Sequence, residues 1–419
     1  MAINYWRPRA SRTTQVSVYD INNSSTAIRA TINGFVITGD TGGSRDATID
    51  NAVIKWNVQT SPYFSKITAT PDLATATQLI LTADVSGVPF TVVIEEYHTA
   101  AWHVVAAAAS SVAATGPEFY DNILNWSLGA VPVATNDVYF EPGNVGCCWN
   151  LPAAGPAIDD FRFWAGFTGV FGLNPNAFAT SADGRTTDST AREYRQTQWA
   201  GDIDDLVEIG LGEGSGSPRI RIEHTNNASA LTDIRIYKTA ATALDVGGDA
   251  VWIHGGSGAT TDVLIGDCVG GVFLDTISAD DIKINATSDA SRVTIPVGSA
   301  FVDLFVWGGT VNVSGGSTTA TTIKVYGGSV TLQDALSGQD LTLAGGKLKL
   351  VNQSIAIDDF TITGGTLDLS AIVVATAITA LVFGVPVGDY KIITKAAGVF
   401  VPTATSITGE IDWRFEKAA

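Results

Sequence analysis

The chain predicts a mainly β fold: a single-stranded parallel β-helix (a solenoid) with a small N-terminal α+β module and a β-rich C-terminal cap. Three observations predict it. One short phrase of alternating apolar residues around a Gly-Gly pair recurs four times between Asp303 and Ser370. An Asp followed by an alternating apolar pair marks the same rhythm as far back as Asp160. The 419 residues include 43 glycines and a single methionine, a turn-rich profile suited to many short strands.

The four copies fix the unit. Leu304, Val306, Gly308-Gly309, Val311 and Val313 form the first; Ile323, Val325, Gly327-Gly328, Val330 and Leu332 the second. Leu341, Leu343, Gly345-Gly346, Leu348 and Leu350 form the third, and Phe360, Ile362, Gly364-Gly365, Leu367 and Leu369 the fourth. Apolar residues alternate with Thr, Lys, Asn and Asp, the period-2 signature of a strand with one buried face. Glycine sits where the chain bends between two strands, because a residue without a Cβ turns there without strain. A unit of about 20 residues cannot close its own core and must stack on its neighbours. A leucine-rich repeat would need a Leu/Asn consensus that is absent.

Residues 1–98 lack this phrase and predict the α+β module. Ile28, Ala30 and Ile32 alternate up to Asn33-Gly34, and Phe35 and Ile37 follow, a hairpin signal. Asp46 is placed to cap a helix reaching about Gln59, with Ile49, Val53 and Trp56 on one face. Strands follow near Lys66–Thr70 and Gln78–Ala83, then a Ser86-Gly87 turn leads into Phe90, Val92 and Ile94. Residues 99–117, rich in Ala, Ser and Val, read as a linker or as a strand running along a neighbour.

The solenoid is expected over 118–375. Its marker aspartates are Asp160, Asp205, Asp233, Asp262, Asp281, Asp303, Asp340 and Asp359, with Thr322 the exception among nine. Nine rungs at strand spacing predict a rod about 45 Å long. A polar insertion is expected at 174–201. Beyond 375 the Gly-Gly phrase stops, and 376–419 reads as a closing cap or oligomerisation segment, with Trp413 and Phe415 available to cover the last rung.

Charge and cysteine content exclude several functions. The net charge of −18 argues against nucleic acid or an anionic membrane surface as partner. Cys147, Cys148 and Cys268 provide no disulfide framework and read as small buried apolar residues. Arg7, Arg9 and Arg12 are followed by no apolar signal region, and the run from Ala100 to Ala114 is too short to span a bilayer. The expectation is a soluble protein made in a cytoplasm.

The candidate chemistry is sparse. The pairs Asp159-Asp160, Asp204-Asp205, Asp280-Asp281 and Asp358-Asp359 resemble the two carboxylates of glycoside hydrolysis. The second Asp of each falls on the repeat marker, however, where it can cap a turn, so we assign no catalytic residue. Asp262, Asp281, Asp303, Asp340 and Asp359 are read as turn residues with Gly308, Gly327, Gly345 and Gly364. His98, His103, His224 and His254 are scattered without metal-ligand spacing, and no cofactor motif is present. Arg185, Arg192, Tyr194, Arg195 and Trp199 in the insertion are the binding candidates, suited to a sugar or a partner protein. The plain alternative is a loop folded on the rod's flank.

The phrase Asn125-Trp126-Ser127, Gly129, Pro132 and Asn136-Asp137-Val138 resembles the segment ahead of β-solenoids in phage and bacterial surface proteins. There the last element is Asp-Asp-Val; here Asn136 stands first. Trp126 would lid the open end of the apolar column. With the repeats, this phrase makes the chain resemble tailed-bacteriophage virion proteins: tail fibres, tailspikes, and head fibres or decorations. The resemblance implies attachment to other virion proteins through residues 1–98, a homotrimer, outward display of the rod and contact with host polysaccharide. A tailspike depolymerase using Asp183, Asp188 or Glu193 is the alternative, and a bacterial surface adhesin the third.

Overall fold

The computed structural model describes all residues except 1, 33, 40–41, 62–63, 75–76, 173–198, 225–232, 242–248, 256–258, 315–321, 334–336, 352–355, 372–376, 384–389, 395–405, 409–414 and 418–419. Two long parallel sheets dominate it. Sheet I contains thirteen strands and sheet II eleven among the described residues. From Ile158–Trp164 onward the chain alternates between them, one strand in sheet I and the next in sheet II.

The marker residues locate the strands well. Nine of the thirteen strands in sheet I carry the marker positions, from Ile158–Trp164 to Ala356–Ile362. Asp233, Asp262, Asp281 and Asp303 lie in register on adjacent strands, followed by Thr322 and Asp340. Asp160 pairs with Leu206 and not with Asp205, because the register shifts there by a local irregularity. Inward residues stack likewise: Ile282, Leu304, Ile323, Leu341 and Phe360 form one buried column.

The aspartates do less turn capping than expected. They lie within strands, at a point where alternation slips by one residue. Ala279 and Ile282 are both buried, with Asp280 and Asp281 between them facing outward. Lys283 Nζ bonds Asp281 at 2.8 Å and Asp262 at 3.2 Å. Side-chain cations thus relieve the repulsion that stacking like charges creates.

The Gly-Gly pairs divide their work. A Cβ on Gly308, Gly327, Gly345 or Gly364 would lie 2.0–2.6 Å from a backbone oxygen of the strand pair below. The second glycines, Gly309, Gly328, Gly346 and Gly365, hold positive φ of 67° to 84°. Close approach demands the first glycine; backbone conformation demands the second, and at Gly328, Gly346 and Gly365 close approach does so as well.

Both ends of the sheets extend beyond expectation. Ala2–Trp6, assigned from sequence to the N-terminal module, pairs in parallel with Asn136–Phe140 as the terminal strand of sheet I. At the other end, the described strands of 376–419 continue both sheets. Ala377–Phe383 and Ser406–Thr408 continue sheet I, and Tyr390–Thr394 and Phe415–Lys417 continue sheet II. The Gly-Gly phrase is lost there, but alternating apolar residues persist and suffice for the ladder. Trp413 lies outside the described residues.

The N-terminal module has its own core. Ala27–Ile32 and Phe35–Gly39 form the expected hairpin, with Ile32 opposite Phe35. Val16–Asp20, Gln78–Ala83 and Ile67–Pro71 form a second antiparallel sheet. The helix spans Arg45–Asn57, and its cap is Ser44, not Asp46: Ser44 Oγ accepts from the Ala47 N–H. Ile49 and Trp56 pack against Ile28, Leu79, Leu81 and Ile94. Residues 99–117 follow the neighbouring-strand reading rather than a tether. Ala101–Val105 joins the hairpin sheet, and Ala107, Val112 and Thr115 bridge to Tyr19, Val16 and Thr13.

Candidate functional site

Asn125-Trp126-Ser127 ties the module to the sheets. Asn125, fully buried, accepts from the Arg9 and Ala10 N–H groups and donates to Gly116 O and Phe119 O. Trp126 Nε1 donates to Tyr120 O at 2.6 Å, and Ser127 Oγ accepts from the Tyr5 N–H. Trp126 meets Phe140 edge-on at 6.1 Å and shares that position with Trp6, whose ring lies 5.0 Å away. Below them Phe140, Phe161, Phe163, Phe167 and Phe171 fill the first tiers.

The insertion candidates resolve in one case only. Arg185, Arg192, Tyr194 and Arg195 lie outside the described residues, as do Asp183, Asp188 and Glu193. Trp199 is described, and it is no surface contact. It opens the strand Trp199–Gly201, is 0% exposed, and packs its ring 5.2 Å from Phe161. It faces inward because it is in register with the core residue Ile222.

Two outward faces carry groups that the sequence reading passed over. The first lies along sheet I. Trp307 and Tyr326 stack with ring centroids 5.3 Å apart and an interplanar angle of 11°, and are 45% and 42% exposed. Phe305 lies 6.1 Å from Trp307, and Lys324 Nζ sits 5.5 Å over the Phe305 ring. Trp307 and Tyr326 are the residues immediately before Gly308-Gly309 and Gly327-Gly328. The position before the Gly-Gly pair faces solvent, so the repeat itself held the signal. Adjacent exposed aromatics in a flat stack form a platform for an apolar ring face.

The second face lies on sheet II, across Ile220–His224, Val251–His254 and Val272–Asp275. Ile220, Ile222, Val251, Ile253, Val272 and Leu274 point into the core. The alternate residues form two outward columns in register: Arg221, Trp252, Phe273 and, beside it, Glu223, His254, Asp275. His254 Nδ1 lies 3.1 Å from Asp275 Oδ2, and the His254 ring stacks 5.8 Å from Trp252. Arg219 and Arg221 are both buried. Arg219 Nε donates to Gly172 O at 3.1 Å. Arg221 Nε has no hydrogen-bond partner among the described residues. Burial and the neighbouring Arg219 pull the Arg221 pKa down to about 10, against a weaker pull from Asp249.

Of the four histidines, two meet in space. His98 and His103 stack at 4.1 Å across their hairpin, while His224 is buried with Nδ1 accepting from the Ile203 N–H. Among the described residues no three His, Cys, Asp or Glu side chains are grouped to hold a metal ion. No helix among them is long and apolar enough to cross a membrane. The three cysteines are free and buried, and burial raises the Cys268 thiol to about 12. Comparison of the chain with protein-family models, curated proteins and solved structures returned no match.

Proposed function

We propose that the chain is a non-enzymatic structural protein of the exterior of a tailed-phage virion, a fibre, spike or head decoration. Its two parallel sheets are successive faces of one single-stranded β-helix, and the rod they form is displayed outward. The observation that carries the architectural part is the strict alternation of strands between the two sheets with residue-by-residue register. A chain whose strands pair with those two positions before and after them winds around a shared core. Support for the place on a particle comes from the Asn125–Val138 phrase and from the separately cored N-terminal module, which suits attachment.

The contact surface for host glycans in this reading is the Trp307–Tyr326 platform with Phe305 and Lys324. Flat exposed aromatics bury the C–H face of a sugar, and the lysine supplies a donor for its hydroxyls. Labelling intact particles with antibody to the purified chain tests the location: exterior label is expected, and its absence overturns the reading. Solution mass is expected to give a homotrimer. Release of reducing ends or unsaturated uronides from host polysaccharide would replace it with the depolymerase alternative.

A further inference from the structure

Arg221 is out of place for a structural residue. It occupies an outward position on a solvent-facing sheet, yet it is 5% exposed. Its Nε finds no partner among the described residues. The carboxylate that acts on it most is Asp249, which faces Arg292 at 3.7 Å. Arg219, two residues earlier on the same face, adds a like charge. A buried guanidinium with an unsatisfied Nε and only a shared carboxylate nearby weakens a fold, because its lost hydration is not fully replaced. The chain carries a net charge of −18, so this local positive site is no by-product of composition.

The surroundings of Arg221 narrow the ligand. Trp252 is its register neighbour on the next strand and Phe273 the one beyond, so two half-buried aromatic rings continue the column that the guanidinium begins. Beside Trp252, the His254 imidazole is oriented by Asp275 at 3.1 Å. With Nδ1–H donating to Asp275, Nε2 is left as an acceptor for a hydroxyl. A fork of donors, then an apolar ring platform, then a hydroxyl acceptor follow one another at strand spacing, about 5 Å per step.

We propose that this face of sheet II, built from Arg221, Trp252, Phe273 and the His254–Asp275 pair, binds an acidic saccharide. The carboxylate of a uronate-type sugar pairs with the Arg221 guanidinium, the two parallel N–H···O bonds matching the planar group. The ring stacks on Trp252, and a hydroxyl reaches His254. The site is distinct from the Trp307–Tyr326 platform and does not depend on the chain's place on a particle.

Calorimetric titration of the purified full chain at physiological salt tests it, with hexagalacturonate, maltohexaose and inorganic phosphate as probes. Hexagalacturonate is expected to bind at least 100-fold more tightly than either of the others. Arg221→Met and Trp252→Ala should each weaken it 10-fold or more, while Trp307→Ala leaves it unchanged. Arg221→Met should also hold or raise the melting temperature, since it removes an unpaired buried charge. Hexagalacturonate that fails to bind, or binds Arg221→Met as well as the parent, overturns the site. Phosphate binding that survives Trp252→Ala overturns the saccharide assignment in favour of a plain anion. A lowered melting temperature for Arg221→Met with binding retained returns the arginine to the scaffold.

Discussion

The stretch Asp303–Ser370 and the stretch Trp199–Asp275 belong to the same two sheets and differ in almost everything outside the core. In the first, inward residues are aliphatic with one Phe, the bends are Gly-Gly pairs, and outward positions are Lys, Thr, Asn and exposed aromatics. Asp368 is its buried charge among the described residues, and Lys347 holds it at 2.8 Å. In the second, Glu208, Arg219, Arg221 and His224 are all buried, and the spacing between strands is irregular. Strict repetition leaves outward residues other than Asp368 in contact with water among the described residues. Broken repetition allows side chains to be taken out of water, which is what a recognition site requires.

The sharpest break in this contrast is expected at the first glycines. Gly327→Val sets a Cβ 2.3 Å from Trp307 O, a backbone atom that cannot move aside without shifting the strand below. A loss of more than about 3 kcal/mol is expected, read from the urea midpoint. Gly212 in the irregular stretch meets only the edge of Trp164, although its φ is +89°. There Gly212→Ala should cost about 1–2 kcal/mol, from backbone strain alone.

This difference also explains what was legible in the sequence. Nine strands of sheet I are marked by an Asp or Thr ahead of an apolar pair, and at several of them, as at Asp204-Asp205, Asp280-Asp281 and Asp358-Asp359, the marker coincides with an outward slip in alternation. Ala2–Trp6 was not legible: a single strand placed far from its partner in sequence carries no period. The extension past Ala371 was hidden for a different reason, since it keeps the alternation and loses the glycines. The candidate sites have no signature spacing in the sequence, because Arg221, Trp252 and Phe273 meet only through strand register. Trp199 misled because a polar insertion surrounds it in sequence, while its own position faces Ile222 and the core.

The aromatic opening of the core offers a second packing test. Phe161 touches Phe140, Phe163, Phe171 and Trp199. Phe161→Ala should cost about 3–5 kcal/mol, against about 1 kcal/mol for Ile323→Val in the aliphatic stretch. Both are read by urea unfolding.

An acid effect follows in size. Desolvation raises the Asp368 carboxyl, but Lys347 Nζ and the Ser370 hydroxyl and N–H outweigh it and bring the pKa down to about 2. A folded pKa below the unfolded value stabilises the native state above about pH 4, and that contribution is lost as pH falls toward 2. Because Lys347 is 43% exposed, we expect on the order of 1 kcal/mol, seen as a flatter acid limb in Asp368→Asn. Smallest of all is the response of the buried cysteines, which should take up no thiol reagent until the chain unfolds.

Paired cysteines introduced on the outward face of sheet II test the stacked register most directly. Thr331 and Lys349 are partners on adjacent parallel strands, and Asn312 is one strand further back. Mild oxidation of the folded protein should close a disulfide in Thr331→Cys/Lys349→Cys, whose Cα atoms lie about 5 Å apart, within bridging range. It should leave Asn312→Cys/Lys349→Cys open, at about 10 Å. A bridge in the second pair and none in the first would contradict the winding of the chain between two parallel sheets.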